Sequence, residues 1–354
     1  MARMESIERV ETMLRGGIPD RVPVDLHDFL VAARASGTSF RDYFRSAEAM
    51  AQGHIASWRR FGHDVVLVES GTAALAEACG VGVEYLADSA PVSFTPAIRD
   101  LGEVDRLVVP DPFQTSPLKE NLEATRIVSR EIGSRAFVIG RADQGPFSLA
   151  SMLLGMEAFL MALALPGSES QLRRLLDYCE EVVYRYAVAQ VAQGAHMTSI
   201  GESIAGPDVC SPAIYREYAW PADRRLVARL ASDGIRLAYH ICGNATPIIG
   251  GMVDTGASVL ELDYKCDLDA VKAATTSRTT VLGVIDPSGI VARGTPEAVV
   301  EAARAELAVL APGGGLILGP GCALPPETPT ENIAALVEAA ERWGRYRPDG
   351  SLLA

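Results

Sequence analysis

Both the fold and the chemistry of this chain are indicated by one stretch, Ile235-Arg236-Leu237-Ala238-Tyr239-His240-Ile241-Cys242-Gly243-Asn244. Its apolar run predicts a buried strand that ends at a histidine and a cysteine. Side chains two positions apart on a strand point to the same side, so His240 and Cys242 can face one metal ion. A third candidate ligand follows in Gly319-Pro320-Gly321-Cys322. One imidazole and two thiolates suit a tetrahedral zinc ion with an open fourth position, which is typical of catalytic zinc.

The spacing alone leaves a plainer alternative, in which His240 is a core histidine and both cysteines are small buried thiols. The glycines around Cys322 favour a shaped loop over a packed core. Gly243 allows close approach of the backbone, and Asn244 can hydrogen-bond to a metal ligand from outside the coordination sphere.

Short apolar runs of this kind alternate with longer helical patterns along the chain, which predicts a parallel sheet covered by helices. The candidate strands are 22–25, 64–68, 136–140, 198–201, 235–240, 258–262, 280–284 and 315–318. The clearest helical patterns are 168–192, 211–233, 295–310 and 330–343. We therefore expect an α/β protein with a single (β/α)8 TIM-barrel domain over residues 1–354, carrying N-terminal helical and loop elaborations. A doubly wound sheet is the alternative, and residues 80–116 are expected to form a loop or lid.

The barrel prediction places the active site where the strands end. Polar residues gather at these ends, namely Asp25, His27, Glu69, Arg141, Asp143, Glu202, His240, Cys242, Asp263, Asp286 and Cys322. His240 ends the fifth predicted strand and Cys322 follows the eighth, so both are expected to open onto one funnel. This convergence strengthens the metal prediction for His240, Cys242 and Cys322.

Three further residues are candidates for catalysis. Glu202 follows an apolar strand, and it is predicted to ligate the metal, handle a proton or bind a polar substrate group. The alternative is a helix-capping or ion-paired carboxylate. Glu69 invites the same two interpretations, and Asn244 is the third candidate.

Asp143, Gln144 and Asp286 are the candidates for substrate binding. Asp286 precedes Pro287, so it is also a candidate for shaping a turn. The remaining histidines have no partner at metal spacing, and surface or packing roles are expected for His27, His54, His63 and His196.

The composition excludes several classes of protein. A net charge of −13 disfavours nucleic acid and anionic membrane surfaces as partners. No apolar run reaches the roughly 20 residues that span a bilayer, and no signal-peptide pattern is present. Six cysteines in a chain of 354 residues do not suggest a disulfide framework, so a cytoplasmic location is expected.

Together these motifs resemble the uroporphyrinogen decarboxylase superfamily, and within it the zinc-dependent, corrinoid-linked methyltransferases that act on methyl-thiol systems such as coenzyme M. The stretches that carry the resemblance are Asp20-Arg21-Val22-Pro23-Val24, Gly145-Pro146-Phe147-Ser148-Leu149-Ala150, Pro207-Asp208-Val209-Cys210-Ser211-Pro212, His240-Ile241-Cys242-Gly243-Asn244, Asp286-Pro287, Gly294-Thr295-Pro296-Glu297 and Gly321-Cys322.

The resemblance implies a barrel that holds Zn²⁺ through His240, Cys242 and Cys322. It also implies transfer of a methyl group between a corrinoid, supplied by a partner protein or as substrate, and a thiol or folate-like acceptor. Decarboxylase members resemble this chain less, because Asp25-Leu26-His27-Asp28-Phe29 stands where they carry an arginine-rich segment. A second departure is Val284 after Gly283, where the family often has asparagine. The alternatives are a decarboxylase or lyase on the same barrel, and a non-catalytic corrinoid- or thiol-binding accessory protein.

Overall fold

The computed structural model describes residues 3–69 and 71–353. Within these residues the strands are β1 Val65–Val68, β2 Gly82–Glu84, β3 Val92–Thr95, β4 Phe137–Gln144, β5 Met197–Gly201, β6 Leu237–Ile241, β7 Val259–Leu262, β8 Thr280–Gly283 and β9 Leu316–Ile317. Seven of the strands form one sheet in the order β1-β4-β5-β6-β7-β8-β9, and every neighbouring pair is parallel.

The predicted first strand closes this sheet into a barrel. Val24 pairs in parallel with Leu318, directly after β9, and Asp25 pairs in parallel with Val65 of β1. The extended segment 22–25 therefore takes the place of the eighth barrel strand, although its pairing is too short for a regular strand. The prediction of a (β/α)8 barrel is confirmed.

The helices are α1 Ser6–Leu14, α2 Phe29–Ala35, α3 Phe40–Tyr43, α4 Ala47–Phe61, α5 Ala74–Ala78, α6 Leu118–Ile132, α7 Pro146–Leu154, α8 Met156–Ala164, α9 Glu169–Ala192, α10 Pro212–Ile214, α11 Trp220–Ser232, α12 Ile249–Asp254, α13 Leu268–Thr275, α14 Pro296–Leu310 and α15 Thr330–Trp343. A π-helical turn, Tyr215–Ala219, joins α10 to α11. The four predicted helices correspond to α9, α10 with α11, α14 and α15. The hydroxyl of Thr295 accepts a hydrogen bond from the amide of Ala298 and so caps α14 as expected.

The elaborations lie before and after β1. Helices α1 to α4 precede the strand, and the antiparallel pair β2–β3 lies within the predicted loop region. No single helix among residues 3–69 and 71–353 is long and apolar enough to cross a membrane; α7 and α8 pass that test only when taken together, across a bend of 112°.

The barrel interior changes from apolar to polar along the strands. One buried cluster combines Val65 and Leu67 of β1 with inward-facing residues of the other barrel strands and with Val10 of α1, so α1 closes the amino ends of the strands. Because inward-facing residues recur at every second position, Glu69, Arg141 and Glu261 continue the same inner rows towards the carboxyl ends. The polar layer built this way forms the floor of the barrel mouth.

An ion cluster around Asp64 holds the closing segment 22–25 in place at the end of the barrel opposite the mouth. Asp64 accepts hydrogen bonds from Nη1 of Arg9 and Nη1 of Arg21, both at 2.6 Å, and from the amide of Val24 at 2.9 Å. Asp20 holds the same Arg9 through a 2.7 Å contact with Nε. The Asp-Arg motif near the start of the chain therefore stabilises barrel closure.

Candidate metal centre

The structure brings the three predicted metal ligands together at the barrel mouth. One ligand atom each from His240, Cys242 and Cys322 lies within 4.8 Å of the other two. Nε2 of His240 is 3.1 Å from Sγ of Cys242. Ideal tetrahedral zinc places nitrogen and sulfur ligands about 3.5 Å apart and two sulfurs about 3.8 Å apart. The donor types and their spacing therefore fit zinc, and occupancy by that metal stays a prediction.

Strand pairing orients the histidine. His240 lies opposite Glu261 in the parallel register of β6 and β7. Nδ1 of His240 lies 3.0 Å from the backbone carbonyl oxygen of Glu261. A carbonyl only accepts, so Nδ1 carries the proton and Nε2 is left with the lone pair that a metal needs.

Two glycines let the cysteine loops pack closely against neighbouring segments. A Cβ on Gly321 would lie 2.7 Å from the carbonyl oxygen of Leu262, at the end of β7. Gly243 has φ 81°, and a Cβ there would lie 2.4 Å from a carboxylate oxygen of Asp208. The amide of Gly243 donates to Asp263 at 2.9 Å, which fixes the turn directly after Cys242.

The two thiols influence each other's ionisation. A hydrogen bond from Cys322 lowers the pKa of Cys242, although burial opposes this shift. The same contact, together with burial, raises the pKa of Cys322 to about 12. Ionisation of Cys242 is therefore favoured over that of Cys322, and a bound metal would supply the positive charge that replaces the second proton.

A buried histidine that sequence reasoning assigned to surface or packing lies next to this centre. Nε2 of His27 is 2.9 Å from Oε2 of Glu69, and Nδ1 is 2.5 Å from Oε1 of Glu261. Arg141 adds a 3.4 Å contact with Glu261 and a 3.8 Å contact with Glu69. The expectation for His27 is therefore wrong, and the three groups around it form one ion cluster.

Glu261 is a member of this cluster that no sequence motif singled out. The signal that could have found it is the alternation of side chains in β7, since Val259 belongs to the apolar cluster inside the barrel and Glu261 is two positions further along. A carboxylate at an inward position of a barrel strand needs a cationic partner, and that partner is distant in sequence.

The same alternation explains the position of Glu202. Met197 of β5 faces the barrel interior, and Gly201, four positions later, lies on the same face. Glu202 is the next residue, so its side chain points outward to the helices. Its two carboxylate oxygens accept hydrogen bonds from the amides of Phe147, at 2.8 Å, and Ser148, at 2.7 Å, in the first turn of α7. Glu202 therefore makes the contacts expected of a helix-capping carboxylate, which was the alternative to a catalytic role.

The other predicted site residues lie in turns or buried contacts around the mouth. Asn244 is exposed, and its side-chain oxygen accepts a hydrogen bond from the amide of Thr246. Asp286 accepts hydrogen bonds from the amides of Ser288 and Gly289, which is the turn-shaping role.

Asp143 and Gln144 are buried at the end of β4. Asp143 has φ 63° and accepts a hydrogen bond from the amide of Leu75 at 2.9 Å. Burial raises the pKa of Asp143 to about 7. The side-chain amide of Gln144 donates to the carbonyl of Thr72 at 3.4 Å. Substrate binding by these residues stays a prediction.

Comparison with known proteins gives one consistent family. The sequence profile described as Uroporphyrinogen decarboxylase (URO-D) matches residues 5–343. The chain is 30% identical over 347 residues to the methylcobamide:CoM methyltransferase MtbA of Methanosarcina acetivorans, covering 95% of this chain and 97% of that protein. It is 27% identical over 313 residues to the uroporphyrinogen decarboxylase of Psychromonas ingrahamii, covering 86% of each chain.

A solved structure supports the same grouping. The chain is similar to a methyltransferase from Methanosarcina mazei with a TM-score of 0.87 and 25% identity, covering 96% of this chain and 99% of that one.

Proposed function

Because this chain belongs to the uroporphyrinogen decarboxylase family, we propose that it is a zinc-dependent methyltransferase that moves a methyl group between a corrinoid and a thiol or folate-like acceptor. The observation that carries the proposal is the cluster of His240, Cys242 and Cys322, whose ligand atoms lie within 4.8 Å of one another. Names of the similar proteins support methyl transfer to a thiol, since one of them is a methylcobamide:CoM methyltransferase.

A bound zinc ion would lower the pKa of a coordinated thiol and hold its sulfur as a thiolate. His240 presents Nε2 to that site because Glu261 holds its other nitrogen. Cys242 and Cys322 would donate negative charge, which keeps an added thiolate nucleophilic. The open fourth position is what separates such a centre from a structural zinc site.

The proposed reaction is a displacement at carbon. A methyl-corrinoid would supply the methyl group: its carbon–cobalt bond would break with the electron pair staying on cobalt, and a carbon–sulfur bond would form with a thiolate held at the site of His240, Cys242 and Cys322. The thiol proton leaves to solvent before the transfer. The acceptor is left open between a thiol and a folate-like molecule, and a corrinoid protein is the proposed partner.

Roles around the mouth follow from the contacts. We assign Glu69 to the ion cluster beside the proposed metal site. We assign Glu202 a structural role, because its hydrogen bonds attach the loop that follows β5 to the first turn of α7. Asp143, Gln144 and Asp286 remain proposed contributors to substrate binding, and Asn244 remains a proposed catalytic residue. All six cysteines are free, which supports a reducing compartment such as the cytoplasm.

A decarboxylase of the same family is the second candidate, supported by the similarity to proteins of that name. The resemblance implies that such an enzyme binds the carboxylates of its substrate with cationic side chains. Arg141 is already engaged by Glu69 and Glu261, so the charge of the mouth favours the methyltransferase.

Metal analysis tests the proposal directly. Anaerobically purified protein is expected to hold about one zinc ion per chain, and both Cys242→Ala and Cys322→Ala are expected to lose it. Cys179→Ala is the matched control, because Cys179 is buried within α9 and should leave zinc unchanged. Turnover of methylcobalamin with a panel of thiols and tetrahydrofolate then identifies the acceptor. An active, folded, metal-free protein would contradict the proposal.

A further inference from the structure

The contacts of His27 define its charge. Its side chain is 2% exposed, and each ring nitrogen faces a carboxylate oxygen. Ionised carboxylates accept hydrogen bonds and do not donate them, so both nitrogens must carry protons. Burial by itself lowers the pKa of His27, and the charges of Glu261 and Glu69 outweigh it and raise the pKa well above its usual range. His27 is therefore an imidazolium.

Arg141 completes a balanced set of charges. We call His27, Arg141, Glu69 and Glu261 the ion quartet; it contains two cations and two anions, all buried. Removing one member leaves a net charge that has no water to stabilise it, which is strongly unfavourable in a protein interior.

The ion quartet touches the metal centre at two points. Glu261 accepts a hydrogen bond from Nδ1 of His240 through its backbone carbonyl, and its carboxylate oxygen Oε2, which faces Nη1 of Arg141 at 3.4 Å, lies 3.7 Å from the same nitrogen. On the other side, the backbone carbonyl of His27 accepts a hydrogen bond from the amide of Leu324 at 3.0 Å. Leu324 is two residues beyond Cys322, so His27 connects the loops that carry different candidate ligands.

The backbone at His27 is also unusual. Its φ of 42° lies in the left-handed region, which costs free energy for a residue with a Cβ. The position follows the closing segment 22–25, and this conformation turns the imidazole towards Glu69 and Glu261. Such strain is retained only where surrounding contacts compensate for it.

We propose that His27 is a positioning residue of the metal centre: its positive charge retains the Glu261 carboxylate in the ion quartet and so keeps the fourth metal position open for the thiol. Without that charge, Glu261 is an unbalanced carboxylate beside the metal, and it would be drawn to the metal itself. This inference rests on the proposed metal of the previous section, and it concerns which groups reach that metal.

Cobalt(II) in place of zinc tests the proposal without an activity assay, because its visible absorption reports the ligands. In His27→Gln the ion quartet carries an excess negative charge, so we expect an altered cobalt spectrum and about 10- to 100-fold weaker thiol binding at the metal. In His27→Gln with Glu69→Gln the charges balance again, and both properties should return most of the way to wild type. His63→Gln, at another buried histidine, is the control and should change neither.

Each outcome decides the matter. An unchanged spectrum and thiol affinity in His27→Gln would overturn the inference while leaving the metal proposal intact. A double variant that behaves like the single one would show that charge balance is not the cause. Wild-type protein that binds no cobalt would remove both proposals at once. Should His27→Gln fail to fold, the charge-balanced double variant still gives the comparison with wild type.

Discussion

The backbone carbonyl oxygen of Glu261 and Nδ1 of His240 are 3.0 Å apart, on neighbouring strands paired in register. One residue thus fixes the tautomer of a candidate metal ligand with its main chain and joins the ion quartet with its side chain. Any substitution that shifts β7 against β6 would disturb both functions.

Gly243→Ala should weaken metal binding. The added Cβ would clash with the exposed side chain of Asp208, and a φ of 81° is strained for any residue with a Cβ, so Asp208 or the turn after Cys242 must shift. We expect at least partial loss of zinc and a free energy of unfolding lowered by more than about 1 kcal/mol. Metal quantification and urea unfolding give both readings. Gly62→Ala is the matched control, since it has φ 67° but open space around the new Cβ, and zinc content should not change.

Glu202→Ala should destabilise the protein while keeping zinc. The carboxylate accepts two amide hydrogen bonds from α7 and points away from the barrel interior. Leaving those amides unpaired costs about 1–3 kcal/mol, measured by denaturant unfolding. Loss of zinc in this variant would instead make Glu202 a ligand or a direct neighbour of the metal.

Asp64→Asn should be among the most destabilising single changes in the barrel. It leaves the buried Arg9 and the partly buried Arg21 without their shared carboxylate, and a broken buried ion pair costs about 3–5 kcal/mol. The unfolding midpoint in urea measures this loss. Glu123→Gln removes an exposed pair with Arg126 and should leave the midpoint unchanged. Equal effects of the two substitutions would refute the role assigned to barrel closure.

Glu306→Met should stabilise the protein, and more at high pH than at low pH. Glu306 is buried in α14, neither carboxylate oxygen has a hydrogen-bond partner among the described residues, and burial raises its pKa well above 4.5. The folded state therefore binds this proton more tightly than the unfolded state, and stability falls as pH rises above about 4.5. We expect a gain of about 1–3 kcal/mol at pH 8 and a smaller gain at pH 5. A gain that does not depend on pH would contradict ionisation as the cause.

Much of the fold was predictable because it depends on local patterns. The alternation of apolar runs with helical periods identifies the strands and the four main helices, since each pattern reflects burial of one face. The three candidate ligands were also predictable, because His240 and Cys242 share a strand face and barrels collect strand ends at one mouth.

What the sequence by itself determined is therefore the order of elements and the set of candidate metal-binding side chains. The tertiary structure alone decided the partners of those side chains. His27 and Glu261 are 234 positions apart in sequence, and only closure of the barrel by segment 22–25 places them in contact. The tertiary structure also decided the role of each carboxylate, because side chains alternate between the two faces of a strand. Glu261 falls on the inner face of β7 and joins the ion quartet, whereas Glu202, after β5, falls on the outer face and caps a helix. Charge pairing in a barrel is a long-range property, because the cations and anions that must balance come from different strands.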